Sequence, residues 1–253
     1  MIRIAIVLAC TFTLTSSLPA MVGGAPSAGE EAGRAVMMLT GSHGTFCSGV
    51  ALTRSLVLTA AHCVLPCADY KLVEFDSARQ PLLKDVATIT RHPGFDVNAV
   101  LRHRVTADVA LIKLGAPLMV LPARLAPEGV AVTAGDPFVV AGYGVAVRGD
   151  GKTGGVVRAA RLVATGQPGT LQIRLADPAG KGERAGLGAC TGDSGAPVYR
   201  EVGGTLAVIG VVSWSTGPAL SEGCGGLTGV TPLMRYRAWI VEQAAKLGSP
   251  LPP

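Results

Sequence analysis

At 253 residues the chain is longer than one average domain, although an all-β protein of this size can be one unit or two fused halves. Apolar residues make up 49% and aromatic residues only 4%, so the core has to be built from Val, Leu, Ile and Ala. Charged residues are sparse at 15% and the formal net charge is +5, with no consecutive Lys/Arg block to track phosphates or anionic lipid. That sets nucleic-acid binding aside and leaves the basic balance as a solubility feature.

The chain starts with Arg3, an apolar run over residues 4–14 and the hexapeptide TSSLPA. This is the layout of a secretory signal peptide over residues 1–20, with cleavage after Ala20. The competing reading is a buried N-terminal strand. The apolar run is too short to span a bilayer and no later stretch is long enough, so stable membrane insertion is not expected. Val7-Leu8-Ala9-Cys10 loosely resembles a lipoprotein signal, but Cys10 sits very early for that role. Export places the remaining cysteines, Cys47, Cys63, Cys67, Cys190 and Cys224, in an oxidising compartment where disulfides persist. The group His43, Cys47, His62, Cys63 and Cys67 matches no zinc-finger spacing, and no carboxylate cluster suggests a calcium loop, so neither a metal nor a cofactor is expected.

Beyond residue 20 the pattern is one of short β-branched runs punctuated by Gly, Pro and Asp. Strands are predicted at 55–59, 86–90, 109–114, 137–140, 171–175, 197–200 and 206–214, with turns such as Pro93-Gly94, Pro168-Gly169 and Gly203-Gly204 between them. Many short strands at this spacing argue for an all-β barrel or sandwich. One helix is predicted, over about 233–247, with Met234, Ala238 and Val241 as its apolar stripe and Gly248 then Pro250 as its stop. Residues 120–133, with Pro122, Pro127 and Gly129, read as a linker between two halves, 21–125 and 126–253.

Three segments carry the chemistry: Leu58-Thr59-Ala60-Ala61-His62-Cys63, Thr106-Ala107-Asp108-Val109-Ala110-Leu111, and Cys190-Thr191-Gly192-Asp193-Ser194-Gly195-Ala196-Pro197. Singly, each has a bland reading: a structural His, a turn-capping Asp, a tight Gly-rich turn. Together they supply what a serine nucleophile needs. A hydroxyl is a poor nucleophile at neutral pH and requires a base that titrates near neutrality, held in the right tautomer by a carboxylate. An α/β-hydrolase would require Gly-x-Ser-x-Gly, and residue 196 is Ala; the order here is also His, Asp, Ser.

These segments resemble the TAAHC, DIALLKL and GDSGGP signatures of the chymotrypsin/trypsin family of serine proteases, and the likeness runs from Met21 to the terminal helix. The resemblance implies an all-β fold of two packed antiparallel β-barrels with a C-terminal α-helix. It implies a secreted or periplasmic endopeptidase, expected as a monomer, acting on protein or peptide substrates. His62, Asp108 and Ser194 would form its catalytic triad and Ser213 would support Asp108. The amides of Gly192 and Ser194 would form the oxyanion hole, where one donor is typically worth roughly 3–4 kcal/mol of barrier. The implied disulfides are Cys47–Cys63 and Cys190–Cys224, leaving Cys67 without a counterpart.

Two finer expectations rest on the same resemblance. In the specificity pocket, the place of the tryptic aspartate is taken by Gly188, and those of two pocket glycines by Ser215 and Thr228. That combination implies a preference for small or medium aliphatic residues. Met21-Val22-Gly23-Gly24, 41 residues ahead of His62, resembles the Ile-Val-Gly-Gly at which active members begin. A freed Met21 ammonium would then pair with Asp193. A catalytically silent homologue acting as a binding module is the alternative from another class.

Overall fold

A computed structural model describes residues 21–102 and 104–252. The expected signal peptide, with its cleavage site, and His103 lie outside the described residues.

A short helix α1 (Glu30–Gly33) leads into the first barrel, formed by β1 (Val36–Gly41), β2 (Phe46–Thr53), β3 (Leu56–Thr59), β4 (Tyr70–Phe75), β5 (Pro81–Arg91) and β6 (Ala110–Leu114). Its strands close in the order β1-β2-β3-β6-β5-β4. Helix α2 (Val97–Leu101) lies in the loop between β5 and β6. The second half contains β7 (Arg124–Leu125), β8 (Pro137–Gly142), β9 (Arg158–Ala164), β10 (Ile173–Ala176), β11 (Pro197–Val202), β12 (Thr205–Ser215), β13 (Leu227–Pro232) and helix α3 (Arg237–Lys246). Strands β11-β8-β9-β10-β13-β12 are closed into a barrel by pairing of β11 with β12, and β7 adds in parallel beside β12.

The continuous apolar runs are explained by burial on both strand faces. Along β3 and β6, Val57 and Ile112 fill the first barrel, while Leu56, Leu58 and Leu111 point into a core shared between the barrels. From the second barrel, Tyr199, Val208 and Val211 meet them in that shared core, while Phe138, Val140, Leu162, Ile173 and Val198 fill the barrel itself. The segment from Met21 to Ala25 belongs to the second barrel: Met21 and Ala25 are fully buried in its core, and Val22 bridges to Gly188.

The helix differs from its expectation in phase. A 3₁₀ turn (Leu233–Arg235) precedes α3, and the buried side chains are Leu233, Tyr236, Ile240 and Ala244. Ala238 and Val241, two of the expected stripe residues, are exposed. The buried stripe is instead Tyr236, Ile240 and Ala244, at i, i+4 and i+8, the side that packs against the shared core. Gly248, at φ +65°, ends the helix, with its N–H bonded to Ala245 O and that of Ser249 to Ala244 O.

Candidate active site

His62 stands in a 3₁₀ turn (Ala61–Val64) directly after β3. Asp108 stands two residues ahead of β6, β3's hydrogen-bonded neighbour. Between β5 and Asp108 the chain is held by Thr106, whose hydroxyl bonds Gly94 O and accepts from Asp96 N, so the loop returns to deliver the carboxylate beside the turn. Asp108 is fully buried. Its Oδ1 accepts the His62 backbone N–H at 2.9 Å and its Oδ2 faces His62 Nδ1 at 2.8 Å. A second donor reaches the same Oδ2: Ser213 Oγ at 2.5 Å. The β12–β13 register slips between Val212 and Trp214, leaving Ser213 unpaired in a bulge, and the bulge aims its hydroxyl at Asp108. With Nδ1 donating to a buried carboxylate, Nε2 of His62 is left as the basic nitrogen.

Ser194 lies in the loop between β10 and β11, half-buried. Its placement beside the histidine turn follows from its neighbour Gly195, at φ +78°. A Cβ there would lie 2.1 Å from Thr59 Oγ1 and 2.8 Å from Ala60 N, so this loop rests directly on the segment that ends in His62. Ser194 Oγ makes no hydrogen bond among the described residues.

The backbone of this loop is sorted into bonded and unbonded amides. The N–H groups of Asp193, Gly195 and Ala196 donate to Cys190 O, Val212 O and Asp193 O. Those of Gly192 and Ser194 have no acceptor among the described residues. Gly192 adopts φ +95°, with Phe46 packed so closely that a Cβ would lie 2.4 Å from its ring.

Ser48, which the motif analysis passed over, secures this loop from β2. It is fully buried. Its hydroxyl donates to Gly192 O at 2.8 Å and accepts from Tyr143 N at 3.0 Å, while its N–H donates to Ser194 O at 2.8 Å. The signal available in the sequence was a lone serine between Cys47 and the buried run Val50-Ala51-Leu52.

Two disulfides brace these parts. Cys47 is joined to Cys63, tying β2 to the histidine turn, and Cys190 to Cys224, tying the serine loop to the loop before β13. The Cys47, His62 and Cys63 ligand atoms lie within 4.8 Å of one another, but both sulfurs are engaged in the first disulfide. Cys67 is an exposed free thiol. His43 is exposed, and His92 packs edge-on to Tyr236 and Trp239 at 5.0 Å, where burial pushes its imidazole below its ordinary value.

Ser215 and Thr228 are directly opposed across β12 and β13. Thr228 is fully buried and its hydroxyl accepts Ala189 N at 3.0 Å. Gly188 faces it: a Cβ at 188 would lie 3.5 Å from Thr228 Oγ1 and 3.2 Å from Gly225 Cα. Asp193 is fully buried, and its two oxygens accept Gly144 N and Cys190 N, each at 2.9 Å. Burial pushes its carboxyl up to about 7, against the pull of those two donors and of the Arg158 charge.

A family profile described as Trypsin matches residues 21–240. The chain is similar to the vitellin-degrading protease of Bombyx mori, 30% identical over 227 residues that cover 83% of this chain and 80% of that protein. It is also similar to chymotrypsin-like elastase family member 1 of Rattus norvegicus, 28% identical over 214 residues, 77% of this chain and 76% of that one. Two closed six-stranded barrels, a terminal helix and a family match spanning most of the chain place it in the trypsin family, as a serine endopeptidase.

Proposed function

We propose that this is an exported endopeptidase in which Ser194 is the nucleophile, His62 the general base and Asp108 the group that orients and charges the imidazole. The observation that carries the assignment is Asp108: a fully buried carboxylate that holds both the backbone and the Nδ1 of one histidine, with a serine hydroxyl on its other side. In the reaction, Ser194 Oγ attacks the scissile carbonyl carbon as its proton passes to His62 Nε2. Asp108 stabilises the imidazolium that results. The carbonyl oxygen, now an anion, accepts from the unbonded amides of Gly192 and Ser194. Collapse expels the amine, which takes the proton from His62, and water then releases the acyl group by the same steps in reverse. The Ser194–His62 hydrogen bond closes when substrate is bound, as is common at ligand-free sites.

The side chains of Ser215 and Thr228 narrow the pocket, and Gly188 offers no charge, so small and aliphatic residues are preferred on the acyl side of the scissile bond. The 28% likeness to a protein named as an elastase supports the same preference. Activation follows from export: removal of the signal peptide after Ala20 frees the Met21 ammonium, which pairs with the buried Asp193 carboxylate and orders the loop that carries Gly192 and Ser194. A charge pair of this kind is costly to break from one side, at roughly 3–5 kcal/mol. The position of Met21–Gly24 against residues 186–188 supports this reading.

The test combines labelling and cleavage. Wild-type protein beginning at Met21 is expected to react with a fluorophosphonate probe and to cut a diverse peptide library after Ala, Val, Thr or Leu. Ser194→Ala and His62→Ala are expected to lose cleavage with the fold intact, because the two groups act as a unit. Either variant retaining more than a few per cent of activity, or a library profile dominated by Arg and Lys, would defeat the corresponding part.

A further inference from the structure

The Asp193 carboxylate is sealed from solvent and lies across the end of β8: a Cβ at Gly142 would fall 2.2 Å from its Oδ1, and one at Gly144 2.4 Å from its Oδ2. Strand β9 runs antiparallel to β8 with Arg158 directly opposite Gly142. Directly opposed residues of such a pair place their side chains on the same face, with Cβ positions about 5 Å apart. Arg158 therefore rises from the face that Asp193 covers. Its Nη1 donates to Val156 O at 3.4 Å, and its charge lowers the Asp193 carboxyl, less than the Cys190 and Gly144 amides do. Both Asp193 oxygens in turn hold backbone amides, Cys190 N at one side of the serine loop and Gly144 N on the facing strand end.

We propose that Arg158 is a positioning residue for peptide hydrolysis, a permanent counter-charge that holds the Asp193 carboxylate and, through it, the Gly192 and Ser194 amides in their working arrangement. This rests on the reading of those amides as the oxyanion donors, but not on the Met21 ammonium: the guanidinium is present whether or not residue 21 carries a free amine. A buried carboxylate is expensive to leave without a cation, and the register of β8 against β9 brings a guanidinium-bearing residue to the face that this carboxylate covers.

The experiment compares Arg158→Gln, Arg158→Met and Arg158→Lys in two forms of the protein, one beginning at Met21 and one extended ahead of it. Steady-state kinetics on a neutral chromogenic peptide and thermal unfolding are measured for each. Removing the charge is expected to lower kcat about tenfold with KM unchanged, a fraction of what loss of a whole oxyanion donor costs. Arg158→Lys is expected to restore most of the loss, which a packing role for the long side chain alone does not explain, since Arg158→Met keeps the aliphatic stem. In the extended form the residual kcat is expected to fall again with either uncharged variant. Gln and Met variants within twofold of wild type in both forms would overturn the proposal, as would a folded Lys variant as impaired as Gln. Equal kcat for the extended and Met21 forms of the wild-type protein would defeat the Met21–Asp193 pairing and leave the Arg158 comparison intact.

Discussion

Burial of Asp193 makes a measurable statement about stability. In the full-length chain Met21 is joined to Ala20 by a peptide bond, so no ammonium faces the carboxylate, and burial lifts its carboxyl from 3.8 to about 7. Below pH 4 the group is protonated in both folded and unfolded chains and contributes no difference. Between about pH 4 and 7 the unfolded chain ionises while the folded one holds its proton. Stability therefore falls as pH rises through this window and levels off above it. A shift of about 3 units at 1.36 kcal/mol each is on the order of 4 kcal/mol, with no discount for solvent screening because the group is fully buried. The assay is urea unfolding at several pH values between 4 and 8, in a Ser194→Ala background to prevent self-cleavage, of the full-length chain and its Asp193→Asn variant. Asparagine does not titrate, so any fixed packing difference is independent of pH and drops out of the comparison. The stability difference between the two proteins should move by several kcal/mol across the window, in favour of the aspartate at low pH. In the form beginning at Met21 the ammonium stabilises the ionised carboxylate, and the movement should shrink. A pH-independent difference in the full-length pair would refute the reasoning.

Three further outcomes follow from the hydrogen bonds and clearances of the site. Ser48→Ala leaves Gly192 O and Tyr143 N without their partner and should cost about 1–3 kcal/mol in urea unfolding, together with a drop in kcat as the serine loop loosens. Ser213→Ala removes a donor to a buried carboxylate and should cost about 1.5–3 kcal/mol, read as a fall in kcat/KM with the disulfides and fold unchanged. Gly188→Asp should not convert the preference to Arg or Lys: its Cβ would sit 3.2 Å from Gly225 Cα, tighter than most real contacts, and the wall has to shift to admit a carboxylate. A library profile after Gly188→Asp that favours Arg and Lys tenfold over Ala would overturn that.

Much of the chemistry was legible because it is written in covalent neighbours. A histidine after Thr59-Ala60-Ala61, an aspartate before an apolar run and a serine inside Gly-Asp-Ser-Gly are local patterns. Strands such as β3, β6 and β12 were legible because both faces are buried, which leaves unbroken apolar runs. Strands β1, β2, β4, β9 and β13 were not, because their runs are broken by residues whose reasons are tertiary. In β2, Cys47 is spent in a disulfide, Ser48 clamps two carbonyls from another barrel's loop, and a Cβ on Gly49 would lie 2.9 Å from Val57 Cγ1. No local rule anticipates them. Composition and motif determined the fold class and the family and nominated the reacting groups. Tertiary structure alone decided the pairing of Asp108 with the backbone N–H and Nδ1 of His62, the bulge that turns Ser213 inward and the placing of Arg158 opposite Gly142. Each of these depends on the register between strands distant in sequence, and register is set by how two barrels close and pack, which no single segment encodes.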